Sequence, residues 1–280
     1  MAYKEMDVCI HMAFFWHETN NTDSSRVGTT RSTYVLRVVN EYLSKWDVRK
    51  LDLFIHTNSD KASTIRKDFQ LHDRFTVTFV THDLSYEHNF NLTWKPRAML
   101  YTQQNSYDAF AYIEDDIGFP FETFCYWLKY KDILHMNNLD VGFVRVETND
   151  SKEFFCTDVL IPCQSPIRAM DRVFAWNHQN YCAFWICDKE ELKRFIASPY
   201  WKYHGYFPEG PTKPFSPFIQ ESSAIGFKMS YRGSFYPLDD TNTSISDMCF
   251  VHHLPNNFIN SPAHEQGKFA VKRMTDGLFS

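Results

Sequence analysis

Tyr112-Ile113-Glu114-Asp115-Asp116-Ile117-Gly118 is the stretch on which the reading of this chain turns. The run Asp108 to Tyr112 before it predicts a strand, and three carboxylates follow directly, so they emerge at the strand's carboxyl end. Open α/β sheets bind their ligands at that end. Alternation along extended backbone puts Glu114 and Asp116 on one side and Asp115 on the other. Three adjacent negative charges repel one another unless a cation or a set of donors answers them. A divalent ion, Mn²⁺ or Mg²⁺, is the simplest answer, because it takes hard oxygen ligands and shares its shell between a carboxylate and a diphosphate. The competing reading is a solvated acidic turn.

Outward from this point the chain alternates strand and helix. Upstream, Asp7 to Phe15 is a near-continuous apolar run, the mark of a strand buried on both faces, and the polar stretch His17 to Thr30 follows as a loop. Arg31 to Trp46 places Tyr34, Val35, Val38, Val39, Tyr42, Leu43 and Trp46 at helical spacing. Then come Leu51 to Thr57 as strand, Ser59 to Phe69 as helix, Phe75 to Thr81 as strand and Leu92 to Gln104 as helix; Phe121 to Met136 is the helix after the acidic strand. Such alternation predicts an α/β fold, Rossmann-like, with a mostly parallel central sheet and helices on both faces. The second half predicts strands at Val141 to Glu147, Glu153 to Ile161 and Arg172 to Trp176, and a strand passing into a helix over Tyr181 to Ala197. Pro208 to Pro217, with four prolines, is a stiff loop, and a helix begins near Phe218 with Glu221 in its first turns. We read residues 1–280 as one domain in two halves, 1–118 and 119–280, the first of which looks like a nucleotide-binding α/β unit.

Composition narrows the function. The chain has 280 residues with 29 basic and 34 acidic side chains, a formal charge of −5, so no bulk positive field exists to hold a polyphosphate backbone and a nucleic-acid partner is not expected. No apolar run approaches the roughly 20 residues of a membrane span, which leads to the expectation of a cytoplasmic protein. Seven scattered cysteines, with no pair at the two-residue spacing of a zinc knuckle, read as reduced buried thiols.

Two further segments carry chemistry. Leu92-Thr93-Trp94-Lys95-Pro96-Arg97 opens the helix before the acidic strand, so Lys95 and Arg97 at a helix N-terminus suit an anionic diphosphate while Trp94 walls the pocket; a solvated basic turn with Trp94 in the core is the alternative. Val251-His252-His253-Leu254-Pro255 is a short apolar strand bearing adjacent histidines, which point to opposite sides. Both could equally be structural.

The acidic turn resembles the short acidic motif of the GT-A class of nucleotide-sugar glycosyltransferases, in the variant spelling Glu114-Asp115-Asp116. The resemblance implies that Asp116 binds the metal, that Glu114 and Asp115 hold ribose, sugar or metal-bound water, and that a C-terminal histidine, His253 in preference to His252, adds a metal contact. It also implies that 119–280 binds the acceptor and that, in an inverting transfer, Glu221 deprotonates the acceptor hydroxyl, with Asp239 and Asp240 as the next carboxylates to consider; a retaining transfer, which needs no such base, is the alternative. Phe119, Trp127, Trp176, Trp185, Tyr200 and Trp201 are aromatics suited either to sugar stacking or to the core. Within the class, the compact chain is similar to the exostosin-related transferases of chloroviruses. That likeness implies a UDP-sugar donor such as UDP-xylose, a fucose-containing capsid glycan as acceptor, and the host cytoplasm as location. The rival readings are a nucleotidyltransferase or metal-dependent phosphohydrolase, and a carbohydrate-binding module with structural calcium.

Overall fold

A computed structural model of the chain describes residues 3–17, 31–156, 164–177, 181–202, 219–259 and 272–273. The chain forms two compact units, Met1–Asp116 with Ala183–Ser230, and Ile117–Cys182 with Tyr231–Ser280. Strands and helices are numbered along the whole chain.

The first unit is built on five strands. β1 (Asp7–Phe14), β2 (Lys50–Thr57), β3 (Phe75–Thr81) and β4 (Ala109–Glu114) are parallel, and β11 (Phe184–Asp188) runs antiparallel beside β4, giving the order β11-β4-β1-β2-β3. Every residue of β1 from Val8 to Phe14 is buried, so both faces of the sheet are covered, which is why the run shows no polar alternation. The α/β architecture with a mostly parallel central sheet is the one the alternation predicts. α1 (Arg31–Arg37) carries the expected apolar face, with Tyr34, Val35, Val38, Val39, Leu43 and Trp46 buried. Beyond Arg37 it widens into a π-turn over Val38–Tyr42 and tightens into a 3₁₀ turn over Leu43–Lys45, where a single α-helix is predicted. α2 (Pro96–Gln103) starts later than the apolar spacing suggests because Pro96 has no N–H to offer a preceding turn and takes the first helical position. Residues Asn89–Trp94 before it form a 3₁₀ turn, as do Asp60–Asp68, where a helix is predicted. α4 (Lys189–Ala197) is held by a reciprocal capping box between Asp188 and Glu191, and α5 (Ile219–Lys228) completes the unit.

The second unit holds two sheets, one ordered β14-β8-β7-β13-β5 and one ordered β6-β12-β10-β9. Their strands are β5 (Ile117–Gly118), β6 (Asp140–Val141), β7 (Val144–Thr148), β8 (Phe154–Cys156), β9 (Gln164–Ala169), β10 (Arg172–Asn177), β12 (Ser234–Pro237), β13 (Phe250–His253) and β14 (Lys272–Arg273). The predicted strand Val141 to Glu147 is split at Gly142, which lies so close to its neighbour that a Cβ there would stand 2.8 Å from the Phe235 carbonyl oxygen. α3 (Phe121–His135) buries Phe124, Tyr126, Trp127, Tyr130 and Leu134, and Tyr130 meets Phe174 edge-on. The prolines of 208–217, Cys163 and most of the loop 17–30 lie outside the described residues. Among the described residues no helix is long and apolar enough to cross a membrane.

Candidate active site

The strand order places a topological switch in the first unit. β1, β2 and β3 progress in one direction, and the chain then returns to lay β4 on the other side of β1, so the strand order reverses between β1 and β4, the kind of position at whose carboxyl ends open α/β sheets bind ligands. Ala13 and Glu114 are partners in the last rung of that β1–β4 ladder. β4 runs two residues past Tyr112, so Glu114 is its final residue and Asp115 and Asp116 form the turn beyond it.

Asp115 is fully buried and Asp116 is 5% exposed, an expensive position for two carboxylates. Arg31 answers the first of them. Its Nη2 donates to Asp115 Oδ1 at 2.6 Å and its Nε to Oδ2 at 2.8 Å, a two-pronged pair with only 1% of the Asp115 side chain exposed. Asp115 above all, with Asp116 and Glu114 adding, holds the Arg31 guanidinium even more firmly protonated than an ordinary arginine. From the sequence Arg31 is only the start of a helix, yet a signal exists: it is the first residue of α1, and a cation at a helix N-terminus is disfavoured unless an anion meets it.

The basic segment before α2 divides. Lys95 donates to Glu87 Oε1 at 2.6 Å at the surface. Arg97 turns inward: it is 8% exposed, its guanidinium stacks 3.9 Å from the Trp94 ring, and it donates to the carbonyls of Tyr200, Trp201 and Ser223. Burial lowers its pKa to about 9. With Phe195 and Trp201 at 5.1 and 5.2 Å, Arg97 ties the start of α2 to the segment after α4 and to α5. Glu221 stands half-buried in the first turn of that same α5, next to the buried Ser222 and Ser223. Of the aromatics considered for sugar stacking, Phe119, Trp127 and Trp185 are 0 to 2% exposed and belong to the core.

In the second unit, β13 delivers the histidine pair into two environments. His253 is 3% exposed, and its Nδ1 lies 2.5 Å from Oε1 of the fully buried Glu147 at the end of β7. The same carboxylate accepts the backbone N–H groups of Phe258 at 3.0 Å and Ile259 at 2.9 Å. His252 is half-buried, with its ring centroid 5.8 Å from that of Phe154. In the ladder His253 stands opposite Ile117, the residue that follows Asp116 in sequence. Glu147 is also absent from the sequence reading, where it only ends a predicted apolar strand. Among the described residues no three His, Cys, Asp or Glu side chains are gathered to hold a metal ion by themselves.

No protein-family description matches the chain, and no curated protein does. Among the solved structures similar in part are three. CMP:2-keto-3-deoxy-manno-octonic acid synthetase complexed with CTP is 10% identical over 69% of this chain and 78% of its own, at a TM-score of 0.37. A nucleoside-diphosphate-sugar pyrophosphorylase from Vibrio cholerae RC9 is 12% identical over 90% and 98%, at 0.40. Residues 1–349 of S. aureus TarS are 11% identical over 91% and 63%, at 0.45. Likenesses this distant assign neither family nor activity.

Proposed function

We propose that the chain is a GT-A glycosyltransferase that moves a sugar from a UDP-sugar to a hydroxyl of a glycan, with inversion. The observation that carries the reading is the Glu114-Asp115-Asp116 turn at the switch point of the parallel sheet, with Asp115 already matched by Arg31. In this reading Asp115 is spent on holding the turn, and Asp116 is the carboxylate for a divalent cation. Mn²⁺ and Mg²⁺ fit that role, since they are bound through one or two carboxylates and complete their shells with water and phosphate oxygens. The imidazole proposed for the same chemistry is His253. Its Nδ1 faces Glu147, the partner that fixes tautomer and orientation in ligating histidines, so Nε2 is the nitrogen for a metal.

A bound ion supplies charge to offset the departing diphosphate. The chain's own residues do the rest. Glu221 takes the proton of the acceptor hydroxyl, whose oxygen attacks the anomeric carbon as the bond to the diphosphate oxygen breaks. Lys95, on the approach to α2, and Glu114, half-buried at the end of β4, are the proposed donor contacts, with Trp94 as a wall. Arg97, with its guanidinium on three carbonyls, acts by positioning α5 and so Glu221.

The test is thermal stabilisation by UDP and a panel of UDP-sugars, UDP-xylose included, each with and without Mn²⁺, followed by transfer to glycan acceptors. Metal-dependent stabilisation by UDP that Asp116→Ala abolishes is expected, with Glu221→Gln sparing donor binding and losing transfer. Undiminished transfer by Glu221→Gln removes the proposed base. Pyrophosphate release from a nucleoside triphosphate and a sugar phosphate would replace the reading with a nucleotidyltransferase.

A further inference from the structure

Three histidines of the first unit climb its sheet as a staircase. His11 on β1 is level with Phe54 on β2, and His56 lies two residues further on; His56 is level with Val80 on β3, and His82 again lies two residues further on. Each step crosses one strand and rises two residues, which keeps all three rings on one face. The rings meet nitrogen to nitrogen: His11 Nδ1 to His56 Nε2 at 2.8 Å, and His56 Nδ1 to His82 Nε2 at 2.8 Å. At the inner end His11 Nε2 is 3.0 Å from Gln103 Oε1, on the last turn of α2, and 3.3 Å from Cys9 Sγ. At the outer end His82 is half-exposed just past the carboxyl end of β3, near Lys95 and Glu87.

Geometry constrains the protons. His11 and His56 are 0% exposed, and burial lowers their pKa values to about 3 and about 2, so both rings are neutral and carry one N–H each. A neutral ring between two ring partners must donate to one and accept from the other. The row therefore has one direction throughout, set at its inner end. A carboxamide oxygen only accepts, so His11 Nε2–H donates to Gln103, His56 Nε2–H donates to His11 Nδ1, and His82 Nε2–H donates to His56 Nδ1.

We propose that His82, His56, His11 and Gln103 are one directional hydrogen-bond relay, and that it makes His82 Nδ1 a fixed acceptor at the carboxyl edge of β3, selecting ligand groups that bring an N–H or O–H there. Gln103, half-buried on the last turn of α2, is thus a positioning residue for His82 Nδ1. The relay does not depend on which reaction the unit serves.

The test is long-range ¹H–¹⁵N NMR of histidine-labelled full-length chain at pH 7.5, which distinguishes the two neutral tautomers, with the three rings among the 12 histidines assigned by substitution. The wild type is expected to show the Nε2–H form at all three rings. Gln103→Glu, which keeps an acceptor, retains it. Gln103→Leu leaves only the Cys9 S–H facing His11 Nε2, so that nitrogen becomes an acceptor and all three rings switch to Nδ1–H, His82 included. A mixed set or an Nδ1–H set in the wild type overturns the relay, and that measurement stands alone if Gln103→Leu does not fold. A folded Gln103→Leu in which His82 keeps its wild-type tautomer also overturns it.

Discussion

Acid should unfold the first unit through its buried histidines, by an amount the structure sets. In the unfolded chain a histidine has a pKa near 6.5, whereas in the fold His11 and His56 are pushed down to about 3 and about 2, chiefly by burial. The sign follows: below pH 6.5 the unfolded state takes up protons that the native rings refuse, so the stability present above 6.5 is lost as pH falls towards the native values. Each ring adds about 1.4 kcal/mol per pH unit to the slope, so at pH 4.5 the pair has removed roughly 5 kcal/mol, comparable to the whole stability of a small domain at about 5–15 kcal/mol. Urea titrations at pH 7.5, 6.5, 5.5 and 4.5 measure this directly. His56→Gln should be less stable at pH 7.5 but lose stability less steeply below pH 6.5, by about 1.4 kcal/mol per pH unit. Carboxylates titrating in the same range cancel in that difference. Parallel curves for wild type and His56→Gln would refute the placement of a neutral buried ring at position 56.

Three other outcomes follow from the ion pairs and the buried guanidinium. Arg31→Met strands the buried Asp115 carboxylate and should cost about 3 kcal/mol by calorimetry, with Asp115→Asn in the same chain restoring much of it. Glu147→Gln keeps an oxygen for Phe258 and Ile259 but removes the charge facing His253; about 1–3 kcal/mol of stability and, on the proposed reading, 10- to 100-fold in Mn²⁺ affinity should go, read by chemical denaturation and by electron paramagnetic resonance. Arg97→Met leaves three carbonyls without their donor and should lower the melting temperature, while the folded fraction binds UDP with unchanged Kd; a weakened Kd would return Arg97 to the donor contacts.

The fold was legible where burial writes a period into the sequence. β1 reads as an unbroken apolar run because both of its faces are covered, and α1 shows its stripe because one side faces the core. Local turn geometry was less legible. Asp60–Asp68 holds Ala62 and Ile65 at a three-residue spacing that a 3₁₀ turn satisfies as well as an α-helix, and only Pro96 announces where α2 starts. The break between β6 and β7 depends on the close approach of Phe235 to Gly142, a contact between residues far apart in sequence.

At the candidate site the sequence displays charges but not what answers them. Glu114, Asp115 and Asp116 are adjacent and stand out, whereas Arg31 comes from a helix 84 positions earlier and Glu147 reaches His253 from 106 positions away. Compensation is a tertiary property, so a motif read alone over-assigns its members to ligand. Asp115 shows this, since a carboxylate already gripped at two oxygens has little left to offer a metal or a ribose. Arg97 shows the converse: its position at the start of a helix suggests an anion, and its burial against Trp94, Phe195 and Trp201 gives it carbonyls instead. The histidine row is the extreme case, three isolated residues with no local signature, made continuous only because parallel strands in register place every second residue of one strand beside the next. In such a row the middle ring must accept at one nitrogen and donate at the other, so a replacement that can only donate or only accept breaks the row, whereas a carboxamide keeps both functions.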